Sequence, residues 1–598
     1  MPRFPIFTCN VFLPLLFLWG YVHLTPPHVV GFELTIIHTN DVRARFEPVS
    51  ARYGGECTAD MEAKGTCFGG LARRAAKIKE IRESSENVLL LDAGHQFQGS
   101  MWFYVNRGLA TAHFMNRLSY DAMAIGQHEF DFGVEGLARF VNNLTFPVIG
   151  SNINTSKEPS LNRLVLKQHI VQFADGQRVG LVGYSYAETP DIANTGHLTF
   201  LDEVEGLQPV VDSLVSQGIN QIIALGHSGY DRALVIANTL IGVDVVVSGR
   251  DSTLLHTGDK PSTETPKGDY PAVVHPDHNP TATVLVVQAA QYGKYLGNLS
   301  VWFDDSGVVS GFGGNTVLLD DSVEEDQEIL KEMEPWRDRV TEVANQVVGQ
   351  TLVDLDFAAC ASAECALGNL VADAMLFPNL NTSDGWSDVS ISITTTGSMV
   401  SSAGVGDITI GTINKIIPYG DTIDVIELKG RHLLEALENS VFDWDEDKIN
   451  YQMMQMAGMR VVYDLSRLPG DRVVSIDVRC ADCPVPAYDK LRLDAVYKVA
   501  VNSYIEQGKY GYSSLTKKLS VRRGGLDADI LRDYLLKFSP ISHSVELGRQ
   551  IIHNGDASCF TDMESSATAL RGWNLSIISW GIYVFFLQLK SYIRTEEA

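Results

Sequence analysis

Short apolar runs alternate with amphipathic stretches over residues 32–320. The runs are "ELTIIH", "NVLLLDA", "DAMAIG", "FPVIGSN", "RVGLVGYS", "NQIIALGH" and "VDVVVSG". Between them, stretches such as "LARRAAKIKEIRES" and "LQPVVDSLVSQG" place apolar residues at helical spacing. Strands that alternate with helices are typical of a layered α/β sheet. This part of the chain is therefore predicted to be α/β, and the polar ends of its strands are the expected ligand-binding edge.

A charged amphipathic stretch, residues 322–347, predicts a helix that connects this part to a second domain. Beyond it, runs such as "TIDVIELKG", "MRVVYDL" and "YKVAVNSYI" mix with the helix-like "RHLLEALENSVF". The mixture predicts an α+β domain. The expected organisation is a signal peptide at 1–31, a first domain at 32–320, a linker helix at 321–349, a second domain at 350–550 and a tail at 551–598.

Both ends of the chain carry targeting signals. Arg3 precedes the apolar run "IFTCNVFLPLLFLWGYV", which indicates a secretory signal peptide. A membrane anchor is the alternative, although the run is short and Pro14 interrupts it. This end therefore directs the protein into the secretory pathway.

The C-terminal run 573–589 has three interpretations. It is close to the shortest length for a single membrane span, with Lys590 and Arg594 on the cytoplasmic side. The small residues 565–567 upstream, a spacer and the apolar run also fit a glycosylphosphatidylinositol (GPI) anchor signal. The third interpretation is a buried terminal helix. Either of the first two tethers the protein to the extracellular face of the plasma membrane.

The cysteines fit an exported protein. Close pairs in a secreted chain indicate local disulfides, and the pairs are Cys57 with Cys67, Cys360 with Cys365, and Cys480 with Cys483. A zinc site at "CADC" is the alternative, but the sequence has no second CxxC. Glycosylation sequons at Asn143, Asn154, Asn298 and Asn381 also fit an extracellular surface.

The net charge of −26 argues against nucleic acid or an anionic membrane surface as a general partner. Within the first domain, polar residues follow the strand ends: Asp41, His95, Gln127, His128, Asp131, His227 and Arg250. Sites that cleave phosphate esters with two metal ions need carboxylates and imidazoles converging from several strand ends. The placement fits such a site, whereas Arg43 and Arg250 bring cations to it.

Several phrases resemble those of the ecto-5′-nucleotidases, which are two-domain calcineurin-like metallophosphoesterases. They are "HTNDV", "FGGLARRA", "ALGHSGY", "QAAQYGKYLG", "GNLVADAM" and "VYDLSRLPGDRV". The resemblance implies an N-terminal four-layer metallophosphoesterase-like α/β sandwich and a C-terminal α+β 5′-nucleotidase substrate-binding domain. It also implies two zinc ions and the hydrolysis of nucleoside 5′-monophosphates to nucleoside and phosphate.

Most metal-ligand positions that the resemblance implies are substituted. Asp41 and His227 keep the family's residues, but Arg43 and Arg250 replace histidines, His95 replaces a bridging aspartate and Gln127 replaces an asparagine. With neutral histidines the set carries +1 instead of −2. Each like-charge contact at about 4 Å costs on the order of 4 kcal/mol at an effective dielectric near 20. We expect no metal, or one weakly bound ion on Asp41, His227 and His95.

The resemblance assigns other residues to the substrate. His128 and Asp131, which act on the phosphate in the family, are present. Tyr419 and Tyr504 match two rings that stack on the base, and Thr395 replaces a polar anchor. Further anchors are lost at Ala361, Val400 and Tyr510, and a family disulfide is absent from both of its positions, Ala372 and Ser392.

These residues predict an extracellular member of the family with a degraded metal centre and weak or no activity. Arg43 and Arg250 would bind a nucleotide or another small anion without cleaving it. The alternatives are an active metal-dependent hydrolase of AMP or a sugar nucleotide, and a non-catalytic interaction protein that could form a homodimer. The arginines could also turn outward to pair with surface acids.

Overall fold

The structure is a computed structural model that describes residues 31–50, 54–55, 57–380, 387–542 and 547–554. Residues 1–30 of the predicted signal peptide, the apolar run 573–589 and the sequon at Asn381 lie outside these ranges. Among the described helices, none combines the length and apolar character that a membrane crossing requires.

The strands of the described chain are numbered β1 to β28 in chain order. They are Phe32–Thr39, Val49–Ser50, Cys67–Phe68, Val88–Asp92, Ala122–Ala124, Val148–Ile149, Ile153–Asn154, Val165–Leu166, Gln168–Gln172, Arg178–Ser185, Thr199–Phe200, Gln221–His227, Val245–Ser248, Ala272–Val274, Val284–Val287, Tyr295–Phe303, Val309–Leu318, Val347–Thr351, Ile391–Thr395, Gly406–Thr409, Ile423–Lys429, Met454–Ala457, Met459–Asp464, Val473–Arg479, Tyr488–Lys490, Val496–Asn502, Ser520–Arg522 and Gln550–His553.

The α-helices are numbered α1 to α14 in the same way. They are Ala59–Ala63, Leu71–Ser84, Met101–Asn106, Leu109–Arg117, Gly133–Asn142, Thr189–Ile192, Glu203–Ser216, Tyr230–Thr239, Gln327–Ala344, Ala366–Leu376, Ile410–Ile416, Gly430–Ser440, Ser503–Glu506 and Asp527–Phe538. Short 3₁₀ helices occupy Gln127–Phe130, Ala358–Cys360, Phe377–Asn379, Thr396–Ser398, Lys509–Gly511 and Leu515–Lys517.

Two large sheets form the first half of the chain. One has the strand order β17-β16-β1-β4-β5-β6-β8, and the other has the order β14-β15-β13-β12-β10-β9. All seven apolar runs predicted as strands are found here, as β1, β4, β5, β6, β10, β12 and β13. The strands β1, β4, β5 and β6 run parallel, as do β10, β12, β13 and β15.

Side-chain alternation along the strands builds four layers. In β1, Leu34 and Ile36 pack into the core shared by the two sheets, while Ile37 packs with helices α2, α4 and α5. The alternation in β4 is the same, with Leu90 on the helical side. Helices α7 and α8 pack against the second sheet. The order helix, sheet, sheet, helix is the predicted four-layer α/β sandwich.

Helix α9 is shorter than the charged stretch predicted. Its first turn begins after Asp326, whose carboxylate accepts hydrogen bonds from the N–H groups of Glu328 and Ile329. Strand β18 begins at Val347, so the last predicted residues belong to a sheet instead. The capping carboxylate and the strand pairing therefore set both ends of the helix.

The second half of the chain is α+β. A five-stranded sheet has the order β22-β19-β26-β21-β27, and a four-stranded sheet has the order β25-β24-β23-β28. Its two core clusters involve helices α10, α12 and α14. Both halves meet near the strand ends, where Gly420 lies so close to Gln98 that an added Cβ would be 3.0 Å from its Cγ.

Candidate functional site

Three buried side chains converge at the carboxyl ends of the first-half sheets. Asp41 follows β1, His95 follows β4 and His227 ends β12, and all three are fully buried. His95 Nδ1 lies 3.2 Å from Asp41 Oδ1, and His227 Nε2 lies 3.9 Å from the same oxygen. One ligand atom from each lies within 4.8 Å of the others. The arrangement places one carboxylate and two imidazoles around a common point.

The backbone at this point adopts left-handed conformations. The φ angles are 49° at Asp41, 53° at Arg43, 61° at His95 and 98° at Arg250. Such conformations cost about 1–3 kcal/mol each for residues other than glycine. They cluster where loops turn sharply to aim side chains into the site.

Asp41 is held as an ionised carboxylate. Asn40 Nδ2 and the backbone N–H of Arg250 each donate to Asp41 Oδ2 at 2.9 Å. Asn40 is fixed in turn by Ala290 O at 2.6 Å. Burial alone would raise the pKa of Asp41, but His227, the hydrogen bond from His95 and the Arg43 guanidinium together hold that pKa below its usual value.

His227 has a ring nitrogen that is available to bind a metal ion. Its Nδ1 donates to the Ala93 carbonyl at 2.7 Å, which leaves a lone pair on Nε2. That Nε2 is buried and has no hydrogen-bond partner. Burial lowers the pKa of His227 to about 4, so the ring is neutral near neutral pH. A neutral imidazole with a free buried nitrogen is a ready metal ligand.

The residues present fit one divalent cation and not two. Asp41, His95 and His227 would hold the single ion, because their donor types and mutual distances suit it. The remaining positions that the resemblance assigns to metal ligands hold Arg43, Gln127 and Arg250. Guanidinium groups cannot lose their protons to become ligands. These residues therefore do not provide a second ion with its ligands.

We expect His227→Ala to weaken zinc binding by at least about 100-fold, because it removes the one unpartnered donor of the set. Metal-free full-length protein titrated with zinc should bind one equivalent, and the variant should bind none in the same range. His113→Ala is the control, since His113 pairs with Glu332 at the surface. Undiminished zinc binding by His227→Ala would show that the ion sits elsewhere.

The two arginines stay in the cleft instead of pairing with surface acids. The Arg43 guanidinium carbon lies 5.4 Å from the centre of the Tyr292 ring, and that of Arg250 lies 3.8 Å from the Tyr186 ring. Within the described residues, no carboxylate forms an ion pair with either one, and both Nε atoms are buried without a partner. Cation–π contacts offset only part of the desolvation of such groups. Both therefore keep unused donors for an anion.

His128 and Asp131 form a pair beside the three ligands. Both lie at the 3₁₀ helix Gln127–Phe130, and His128 Nδ1 is 3.2 Å from Asp131 Oδ1. The ring of His128 stacks on that of His95 with centres 4.2 Å apart. Burial opposes the charged form of His128, but the Asp131 carboxylate raises the pKa of His128 above its usual value. The neighbouring Gln127 has a buried Oε1 without a partner.

The second half of the chain faces this cleft with tyrosines. Burial raises the pKa of Tyr419 to about 12, with contributions from the nearby Tyr292, Tyr451 and Tyr504. Tyr504 is 41% exposed, so part of its side chain is accessible to a ligand. Its edge packs against Tyr510, with ring centres 5.2 Å apart. The predicted stacking residues thus border the same cleft as the arginines.

Other predicted positions in the second half are closed. Thr395 is fully buried, and its hydroxyl lies 3.1 Å from that of Ser398. The Tyr510 ring lies against Gly397, where an added Cβ would be 2.6 Å from the ring. Tyr510 therefore fills space next to the strand end that carries Thr395, and the buried Thr395 hydroxyl is already hydrogen-bonded to Ser398.

The structure contains the three predicted disulfides, and a hydrogen bond stands where the resemblance implies a fourth. The structure joins Cys57 to Cys67, Cys360 to Cys365, and Cys480 to Cys483. Ala372 and Ser392, where the resemblance implies a further disulfide, are in contact, because the Ser392 hydroxyl donates to the Ala372 carbonyl at 2.6 Å. A hydrogen bond thus connects the two segments without a disulfide.

Glu129 positions the site, and sequence reasoning missed it. Its buried carboxylate accepts backbone N–H groups of His95 at 3.0 Å, Gln96 at 2.7 Å, Phe97 at 3.1 Å and Gly126 at 2.7 Å. These bonds hold the His95 loop against the segment that carries His128. An acid next to a candidate catalytic histidine is the only signal that the sequence offers.

Comparisons with known proteins cover both halves of the chain. Residues 347–517 match the family described as "5′-nucleotidase, C-terminal domain". The chain is 42% identical to the human 5′-nucleotidase over 533 residues, which are 87% of this chain and 91% of that protein. It is also 42% identical to the snake venom 5′-nucleotidase of Naja atra over 539 residues, 88% of this chain and 99% of that protein.

Two solved structures are similar to this chain over most of its length. The 5′-nucleotidase precursor from Thermus thermophilus has a TM-score of 0.61 at 35% identity, covering 87% of this chain and 99% of that one. The NAD nucleotidase of Haemophilus influenzae has a TM-score of 0.64 at 20% identity, covering 88% and 99%. The second likeness is one of fold alone.

Proposed function

This chain belongs to the 5′-nucleotidase family, and from that premise we propose that it is an extracellular nucleotide-binding member with weak or no hydrolase activity. Its mixed α/β fold, with a C-terminal substrate-binding domain, is the fold of the family.

The observation that carries the proposal is the pair of guanidiniums, Arg43 and Arg250, that lie in the cleft without an acidic partner in the described part of the chain. A nucleotide phosphate is the natural counter-charge, because guanidinium groups bind phosphate oxygens through charge-assisted hydrogen bonds. The tyrosines Tyr419 and Tyr504 border the same cleft and offer ring faces to a base. A phosphate at the arginines and a base at the tyrosines together describe a nucleoside monophosphate.

The same guanidiniums weaken catalysis. A divalent ion on Asp41, His95 and His227 would polarise a phosphoryl oxygen and lower the pKa of a bound water. Asp131 raises the pKa of His128, which favours the protonated ring. The protonated His128 would donate an N–H to the phosphoryl group. Arg43 acts against an ion at this place, because its positive charge lies close enough to add to the effect of burial in lowering the pKa of His95.

We expect AMP to bind the metal-free full-length protein, with affinity falling as salt rises. Arg43→Ala and Arg250→Ala should each weaken binding by roughly 10- to 100-fold, because a hydrogen bond to a charged group contributes about 1.5–3 kcal/mol. Isothermal titration calorimetry would measure the affinity. Arg431→Ala is the control, since the Arg431 guanidinium pairs with exposed Asp494.

Two results would refute the proposal. One is AMP binding that neither arginine substitution changes. The other is two bound equivalents of zinc together with rapid release of phosphate from AMP by the unmodified protein, measured on the same preparation.

An active enzyme with a single metal ion is the second candidate, and the unpartnered His227 Nε2 favours it. Its substrate would be AMP or a sugar nucleotide. Hydrolysis that requires added metal and that His227→Ala abolishes would identify this function.

The location and organisation are part of the proposal. The relatives, the three disulfides and the N-terminal apolar run support secretion. The run 573–589 would tether the protein to the membrane, by a GPI anchor or a single span. We also propose that the two domains meet at boundaries near residues 320 and 350, and that the protein forms a homodimer.

A further inference from the structure

A narrow cavity lies behind the candidate site, between the loop 42–46 and helices α2 and α4. It has a volume of about 10 Å³, which is space for about one water-sized sphere. Apolar side chains form most of the wall, with Gln96, Thr111 and Tyr120 as polar members. Two cations, Arg45 and Arg74, line it as well. No residue of the candidate metal set or the tyrosine face lines this cavity.

Among the described residues, no carboxylate supplies a counter-charge for the buried cation Arg74. The residue is 4% exposed, and its Nε and Nη1 atoms have no hydrogen-bond partner. In the part of the chain that the structure describes, no carboxylate pairs with it. Its neighbour on α2, Arg73, differs in pairing with Glu325 at 3.5 Å. Gly293 closes over the Arg74 guanidinium, because an added Cβ there would lie 2.6 Å from Nη1.

The carboxylate of Asp92, which accepts a hydrogen bond from the cavity-lining Gln96, is already occupied. Asp92 accepts hydrogen bonds from Thr39 at 2.6 Å, from Gln96 Nε2 at 2.6 Å and from the Gly94 N–H at 2.9 Å. The Tyr120 hydroxyl is taken up with Thr39 at 2.9 Å. Neither group reaches Arg74 with a hydrogen bond. A counter-charge for Arg74 is therefore not found among the described side chains.

A buried, unpaired guanidinium is costly because it cannot lose its proton and has left water behind. A water molecule in the cavity could accept one N–H but would bring no charge. A halide ion is only slightly larger than water, accepts several N–H groups and neutralises one cation. Phosphate, sulfate and nucleotides are too large for the space.

We propose that this cavity binds one halide ion, chloride under physiological conditions, against the guanidinium of Arg74. The site is separate from the nucleotide cleft and does not depend on the proposed function. Its ion would fix the loop 42–46, which carries Arg43 at the edge of the cleft.

The first test compares thermal unfolding of the full-length protein in sodium chloride and in sodium gluconate at equal ionic strength. A specific site predicts a midpoint that rises with chloride and then saturates, by about 2 °C or more. Arg74→Met should lose this difference between the two salts. Arg73→Met is the matched control, since it removes a cation from the same helix but not from the cavity, and it should keep the difference.

The second test uses crystals of the unmodified protein grown in sodium bromide. We expect an anomalous bromide peak inside the cavity. This test does not depend on the folding of Arg74→Met, because it uses the unmodified protein. If that variant does not fold, Arg74→Lys replaces it and should retain the chloride effect, because the charge remains. Equal midpoints in both salts for the unmodified protein, or density in the cavity without anomalous signal, would assign a water there and overturn the proposal.

Discussion

Four simultaneous substitutions, Arg43→His, His95→Asp, Gln127→Asn and Arg250→His, are expected to raise zinc binding from at most one equivalent to two. They should also raise AMP hydrolysis by about 100-fold or more. Removing one guanidinium at about 4 Å from an ion removes on the order of 4 kcal/mol of repulsion, which is roughly 1000-fold in affinity. Metal analysis of dialysed full-length protein and phosphate release from AMP measure the two effects.

The loops around the site are able to accept these changes. The bond that Arg250 donates to Asp41 comes from the backbone, so it survives a change of side chain. His95 has a φ of 61°, a conformation that aspartate tolerates better than most residues. The backbone N–H of His95 is held by Glu129 in either case. The new carboxylate should therefore point where the imidazole now points.

Turnover should recover less completely than metal binding. The substitutions do not change the second half of the chain, where Tyr510 packs on Gly397 and the Thr395 hydroxyl is buried and bonded to Ser398. Adding His227→Ala to the four changes is the control, and it should cancel the gain in both measurements. Four substitutions that leave the unfolding midpoint unchanged but bring in no second zinc would contradict the electrostatic explanation.

The sequence predicted the fold well because its strands are short apolar runs, and several of these runs end at a polar residue of the cleft. Asp41, His95 and His227 follow from that rule alone, since parallel strands bring their carboxyl ends to one edge. The ends of helix α9 did not follow, because they depend on a capping carboxylate and on the pairing of Val347 with Thr409.

The directions of the arginines also lay beyond the sequence. Arg43 and Arg250 had the alternative of pairing with surface acids, and only the positions of Tyr292 and Tyr186 show that they remain in the cleft. Arg74 is a similar case, because its place on the helix does not reveal that no described carboxylate pairs with its guanidinium. Such features arise from contacts between residues far apart in the chain, which one sequence does not encode locally.

Glu129→Ala is expected to lower the free energy of unfolding by about 3–5 kcal/mol, one of the largest single-residue effects in this protein. The substitution leaves four backbone N–H groups without their acceptor, all in a buried region. Water that enters the space will satisfy some of them, which is why the loss falls below the sum of four bonds. Urea unfolding followed by fluorescence would measure the change.

Glu129→Ala should also lower the affinity for zinc in protein that is still folded. The bonds to Glu129 set the left-handed turn at His95, so without them this imidazole loses its fixed place beside Asp41. Zinc affinity should therefore fall in Glu129→Ala even where the protein remains folded. Glu135→Ala is the control, because Glu135 is exposed in the first turn of α5, and its loss should change stability by less than about 0.5 kcal/mol. Equal stability of the two variants would mean that water replaces the Glu129 carboxylate fully, and the acid would then have no role in positioning His95.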